Sequence, residues 1–232
     1  MTSPNTPDNA RDAVLQAALP HVPFDGWSET TLRAAITDSG VTEGLARALF
    51  PRGGIDLAVA FHQQGDARMR ETLATTDLTQ MRFRDRIAFA IRTRLDLVED
   101  RELVRRGTTL FALPQHTAEG ARLIWGTADA IWTTLGDTTR DLNWYSKRAT
   151  LSAVYGSTVL YWLGDDTPGH QATWDFLDRR IADVMQIESL KAKLRENPLG
   201  KAILAGPAKV MEKWRVPTVP DDLPGKIMDR FR

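Results

Sequence analysis

The sequence predicts an all-α fold, on three observations. Apolar residues recur three and four positions apart along most of the 232 residues, the period of a helix with one buried face. Ser, Thr, Asn, Gly and Pro stand between these runs at positions that start and stop helices. No segment alternates apolar with polar residues as a half-buried strand does. The organising run, Ala149 to Gly164, has no charged residue in a chain that is 26% charged. A helix with no polar face is expected to be enclosed by other helices, so this one is predicted at the centre of a bundle. Its 16 residues, several of them Ser and Thr, fall short of a bilayer span, which needs about 20 apolar residues.

Taken in order, residues 1–10 are rich in Pro, Asn, Thr and Asp and are expected to be disordered. A helix over about 11–20 stops at Pro20 and Pro23. Ser28 is placed to cap a helix that runs to about Ser39 and ends at Gly40, and Thr42 starts another through Phe50. Three short helices with tight turns have the shape of a helix-turn-helix unit. Their charge does not suit DNA. Over residues 11–62, Arg11, Arg33, Arg47 and Arg52 stand against Asp12, Asp25, Glu29, Asp38, Glu43 and Asp56, a balance of −2. A DNA reader needs a basic footprint instead.

A long helix from Gly54 to about Leu73 turns Leu57, Ala58, Phe61, Met69 and Leu73 inward. Another, over about 79–98, does so with Phe83, Ile87, Ile91, Leu95 and Val98, while its arginines form a solvated face with Asp85, Asp96 and Glu99. Residues 102–113 form a short helix or turn closed by Pro114. Thr117 caps a helix with Ile124, Ala128, Ile131 and Leu135 in one stripe and Trp125 and Trp132 beside it, ended by Gly136. The uncharged helix follows, its polar mouth made of Asp141, Asn143, Trp144, Tyr145 and Arg148. Ala149, Ala153, Gly156 and Ser157 leave one of its faces nearly bare, so either another helix packs closely at Gly156 or a cavity opens there. Leu151, Tyr155 and Trp162 point elsewhere and can wall a hollow. Thr167-Pro168 starts a helix to about Ile187 that buries Trp174, Leu177, Ile181 and Val184. The helical domain is thus predicted over 11–188.

Beyond it the composition shifts. Residues 189–216 hold seven Lys and Arg against two Glu. On a helix started by Asn197-Pro198, Leu199, Ile203, Leu204, Val210, Met211 and Trp214 share one side, with Lys201, Lys209 and Lys213 flanking it. Such a basic amphipathic helix suits a membrane interface, each basic residue near an anionic surface adding about 1 kcal/mol. Packing back onto the bundle or a partner subunit is the alternative, and Gly206-Pro207 should kink the helix. Residues 217–232 form a flexible tail.

Composition narrows the function. The net charge is +0, so no global field draws the chain to nucleic acid, and no nucleic-acid partner is expected. With no cysteine there is no disulfide or thiolate metal site, which suits a reducing compartment. The N-terminus, MTSPNTPDNA, lacks an apolar signal core, so a bacterial cytoplasmic location is expected. His21, His62, His116 and His170 are scattered, and none follows a Glu by three residues, as the ligands of a di-iron bundle do. No metal site, no cofactor and no catalytic constellation are predicted: the chain is not expected to be an enzyme.

Four segments, ALPHVPFDGW at 18–27, FALPQH at 111–116, AIW at 130–132 and DLNWYSKRATLSAVYGSTVL at 141–160, resemble the ubiquinone-biosynthesis accessory protein family, the ninth of the Coq set. The similarity covers about residues 11–188. It implies a TetR-like helical bundle with a vestigial helix-turn-helix front end that no longer serves DNA. It further implies a homodimer that binds isoprenoid lipid and touches the cytoplasmic face of the inner membrane through its C-terminal helix. Such a protein presents quinone intermediates to a di-iron demethoxyubiquinone hydroxylase. On matching positions the partner-binding patch would comprise Trp132, Asp141, Asn143, Trp144, Tyr145 and Arg148. Ile131 stands where some relatives carry methionine. The lipid pocket, inferred from the apolar helix faces, would comprise Trp125, Ile131, Leu151, Tyr155 and Trp162. From the residues alone, Trp144 and Tyr145 serve equally well to close the end of a buried helix. The alternative function, from another class, is a TetR-type ligand-sensing transcriptional regulator.

Overall fold

The structure, a computed structural model of the chain, describes residues 7–137 and 142–196, with side chains over 7–137 and 144–186. Asp141, the Asn143 side chain and the expected membrane-contact residues from Leu199 to Trp214 lie outside the described residues. Among the described residues every regular element is helical. One compact unit extends to Ala182, and a second begins at Asp183.

The front of the first unit is α1 (Pro7–Ala18), α2 (Val22–Asp25), α3 (Glu29–Ser39) and α4 (Glu43–Leu49). α1 starts inside the segment expected to be disordered, with Ala10 already buried. Pro7 explains the start, because its fixed φ suits a first helical turn and the missing N–H would have no partner there anyway. Ser28 caps α3 as expected, accepting from Thr31 N at 3.2 Å, and Gly40 ends it at φ 67°. Val14, Leu15, Leu32, Ala35, Ala46 and Phe50 close a core beneath these helices with Leu57 of the next one.

That next helix, α5 (Gly54–Thr75), is the spine. Its first residue lies so close to the chain at Trp27 and Ser28 that a Cβ there would come within 2.4 Å of backbone atoms, so only glycine fits. α6 (Phe83–Asp96) begins four residues later than the spacing suggests, because Asp77 folds the preceding segment into a turn, accepting from Thr79 N at 2.9 Å. α7 (Arg101–Phe111) is capped by Asp100, which accepts from Glu102 N at 2.8 Å. α8 (Thr117–Thr134) starts differently from expectation. Thr117 is its first residue, and its hydroxyl donates back to Pro114 O at 2.8 Å.

α9 (Leu142–Leu163) carries the uncharged run. It is not enclosed on all sides. Leu151, Val154, Tyr155, Thr158 and Trp162 are buried, but Ala149 and Ala153 are exposed and Leu160 is 62% exposed. The missing charges therefore leave an apolar outer face within the single chain. Thr167-Pro168 opens a short 3-10 turn (Pro168–His170) rather than an α-helix, because Gly169 and His170 take positive φ. α10 (Gln171–Glu196) follows, and its start is capped by Asp165, which accepts from Thr173 N at 2.8 Å and Thr167 N at 2.9 Å. These hydrogen bonds from Thr167 and Thr173 hold the Asp165 carboxyl well below the usual carboxylate range. The basic composition does not break the helix at Ile187, for α10 continues to Glu196.

Candidate functional site

A cavity of about 450 Å³ opens among α5, α6, α7, α8 and α9. Its walls are mostly apolar, with Trp27, Phe61, Leu103, Phe111, Ile124 and Val159 among them. This is within the usual range of small-molecule pockets, about 300–1,000 Å³. Gly156 lines it, so the glycine fronts a hollow, and a Cβ there would meet only Ile124 at 3.7 Å. Of the residues expected to line a pocket, Tyr155 does. Ile131, Leu151 and Trp162 are buried elsewhere in the core, and Trp125 packs against Trp144 with ring centroids 5.9 Å apart. The sequence gives their apolar character but not which side of each helix faces space.

On one side His62 and Arg94 line the cavity, backed by a polar network behind them. Asp66 on α5 accepts from Arg94 Nε of α6 at 2.8 Å and from Thr127 Oγ1 of α8 at 3.0 Å. His62 Nε2 lies 2.8 Å from the same Thr127 hydroxyl, and Arg94 Nη2 donates to His62 O at 3.1 Å. Arg94 is buried, so it departs from the solvated face expected for the α6 arginines. Burial pushes the His62 imidazole down to about 4, against the pull of Asp66, so it is neutral at neutral pH. Burial likewise pushes the Tyr155 phenol up. Apart from Tyr155, none of these polar residues is expected at a pocket from the sequence, although Ala58, His62, Asp66, Met69 and Leu73 follow one helical stripe.

The second feature is an aromatic rack at the start of α9. Tyr145 is 62% exposed and meets the half-buried Trp144 edge-on at 4.8 Å. Trp132 donates from Nε1 to Lys147 O at 3.2 Å, and Phe83 packs on it at 5.3 Å. Arg148, expected on the partner-facing surface, is only 2% exposed and supports the rack from below. Its guanidinium lies 4.0 Å under the Trp144 ring, donates to Asp129 Oδ1 at 2.5 Å and reaches Asp137 Oδ2 at 3.2 Å. Lys147 meets the other oxygen of Asp137 at 2.8 Å.

Arg47 is the one basic residue of α4, and Glu29 and Glu43 both engage it at 2.9 Å. No helix among the described residues is long and apolar enough to cross a membrane.

By fold the chain is a TetR-like helical bundle. A TetR transcriptional regulator from Nitrosomonas europaea superposes with a TM-score of 0.60 over 74% of this chain and 95% of its own, at 20% identity. That likeness concerns the fold alone. Residues 117–188, which hold the aromatic rack and the cavity wall of α8 and α9, match the family model described as COQ9. The chain is 31% identical over 188 residues to the mitochondrial ubiquinone biosynthesis protein COQ9 of Drosophila melanogaster, covering 79% of this chain and 57% of that protein. For the COQ9 proteins of Rattus norvegicus and Homo sapiens the identities are 30% and 29%, each over 83% of this chain and over 64% and 62% of the relatives. The chain is similar to these COQ9 proteins over about three fifths of their length.

Proposed function

We propose that the protein serves ubiquinone biosynthesis as a lipid-binding accessory protein rather than as an enzyme. Its cavity holds an isoprenoid quinone intermediate, and the aromatic rack docks the di-iron hydroxylase that acts on that intermediate. The chief support is the mostly apolar cavity of about 450 Å³ beside Gly156 and Tyr155. The relatives' names support the pathway. The exposed, uncharged face of α9 fits a homodimer, and the basic segment 189–216 fits contact with the cytoplasmic face of the inner membrane.

Organic extraction of the purified protein followed by mass spectrometry should yield an isoprenoid lipid. Gly156→Leu, which extends a side chain into the cavity, should lower the lipid recovered while the circular dichroism spectrum stays helical. No isoprenoid lipid from the unaltered protein in any preparation would remove the proposal. Tyr145→Ala, at an exposed ring, should leave the fold intact yet weaken hydroxylase association, on the order of tenfold or more if the ring is a hot spot. Trp144→Ala should do the same with some loss of stability, because that ring also covers Arg148. Unchanged association in both variants would place the docking surface elsewhere. Deleting residues 198–232 should abolish co-sedimentation with anionic liposomes, and retained sedimentation would move membrane contact to another part of the chain.

A further inference from the structure

A second cavity, of about 440 Å³, lies on the other side of α5 and α6. Phe61, Arg94 and Leu103 line both cavities and so form the partition between them. The two chambers differ in character. The one holding Gly156 is mostly apolar; the other is lined by Gln16, Gln64, Arg68, Glu99 and Asp100 as well as apolar residues. At the partition stands a buried guanidinium with donors to spare. Arg94 spends Nε on Asp66 and Nη2 on His62 O, and Nη1 makes no hydrogen bond among the described residues. The group lies flat on Gly65, where a Cβ would come within 2.5 Å of the guanidinium carbon. The glycine therefore makes room for the arginine.

We infer that the Arg94–Gly65 partition is the head-group subsite of the cavity, taking a neutral oxygen acceptor such as a ring carbonyl while the apolar tail fills the chamber beside Gly156. This rests on the lipid-binding reading given above and adds which chemistry the head must have. Charge decides between neutral and anionic heads. Arg94 is already balanced by Asp66, and His62 is neutral. Besides Arg94, the second chamber sets one base, Arg68, against two acids, Glu99 and Asp100. An anionic head would bring an uncompensated charge into this site, and an unpaired buried charge is costly. A carbonyl oxygen needs only the free N–H that Nη1 offers.

The test is displacement of a neutral fluorescent probe, N-phenyl-1-naphthylamine, from the full chain by three ligands of equal tail length. These are decylubiquinone, with ring carbonyls; decylbenzene, without them; and decanoate, an anion. Decylubiquinone should displace the probe at about tenfold lower concentration than either of the others, the worth of one hydrogen bond to a charged donor. Gly65→Ala, which keeps every charge but pushes the guanidinium aside, should erase that preference and leave decylbenzene unchanged. The pair Arg94→Met with Asp66→Asn should do likewise without leaving a buried charge alone. Equal displacement by decylubiquinone and decylbenzene in the unaltered protein would overturn the subsite, as would a preference that survives both variants. Strongest displacement by decanoate would overturn the neutral head. Failure of all three ligands to displace the probe would overturn the lipid-binding reading beneath it, and the subsite with it.

Discussion

Replacing Arg148 by methionine is expected to lower the protein's stability by about 3 kcal/mol, read from the chemical-denaturation midpoint. The side chain is buried, bridges Asp129 and Asp137, and supports the Trp144 ring from 4.0 Å away. Breaking a buried ion pair costs about 3–5 kcal/mol, because the partner is left charged and desolvated. The lower end applies, since Lys147 still meets Asp137 at 2.8 Å and Asp129 is partly exposed. Arg148→Met combined with Asp137→Asn should recover part of the loss by removing the stranded charge. A loss under about 1 kcal/mol for the single variant would show that the bridge contributes little in solution. The single variant should also reduce hydroxylase association, since Trp144 loses its support.

Acid is expected to destabilise the protein through His62. The imidazole titrates at about 4 in the folded chain, against an ordinary value of 6.5, with burial as the main cause. As pH falls below 6.5 the unfolded chain takes up a proton that the folded chain refuses, so stability drops until about pH 4 and then levels. A shift of that size corresponds to on the order of 3 kcal/mol. Asp96 contributes with the opposite sign, because burial raises its folded value. The fall in stability from pH 6.5 toward about 4 is the measure of His62, with Asp96 working against it. His62→Gln should flatten that slope. An unchanged slope in the variant would assign the acid sensitivity to another group.

Much of the fold is legible in the sequence because helix ends depend on local chemistry. Ser28, Gly40, Gly54 and Gly136 each mark an end where the structure has one. Where local signals compete, the wrong residue is chosen. Asp165 reads as a turn acid, yet it caps α10, because the left-handed Gly169 and His170 hand that role back past Thr167. The aromatic rack is legible as a cluster of residue types. That Arg148 lies beneath it follows only from Asp129 and Asp137, carboxylates 19 and 11 residues away. The polar network behind the cavity wall is harder still, since Asp66 meets partners 28 and 61 residues off on two other helices. A charged residue on an apolar stripe is its one local trace.

Gly65 has a consequence for how such a chain can drift. A glycine inside a helix sacrifices about 1 kcal/mol relative to alanine, so most substitutions at an idle site of this kind would be gains. Here the first added carbon would evict Arg94 from its seat. Losing that seat would strain the buried Arg94–Asp66 pair, a cost larger than the alanine gain, so the glycine can be given up only after both charged partners have been replaced together.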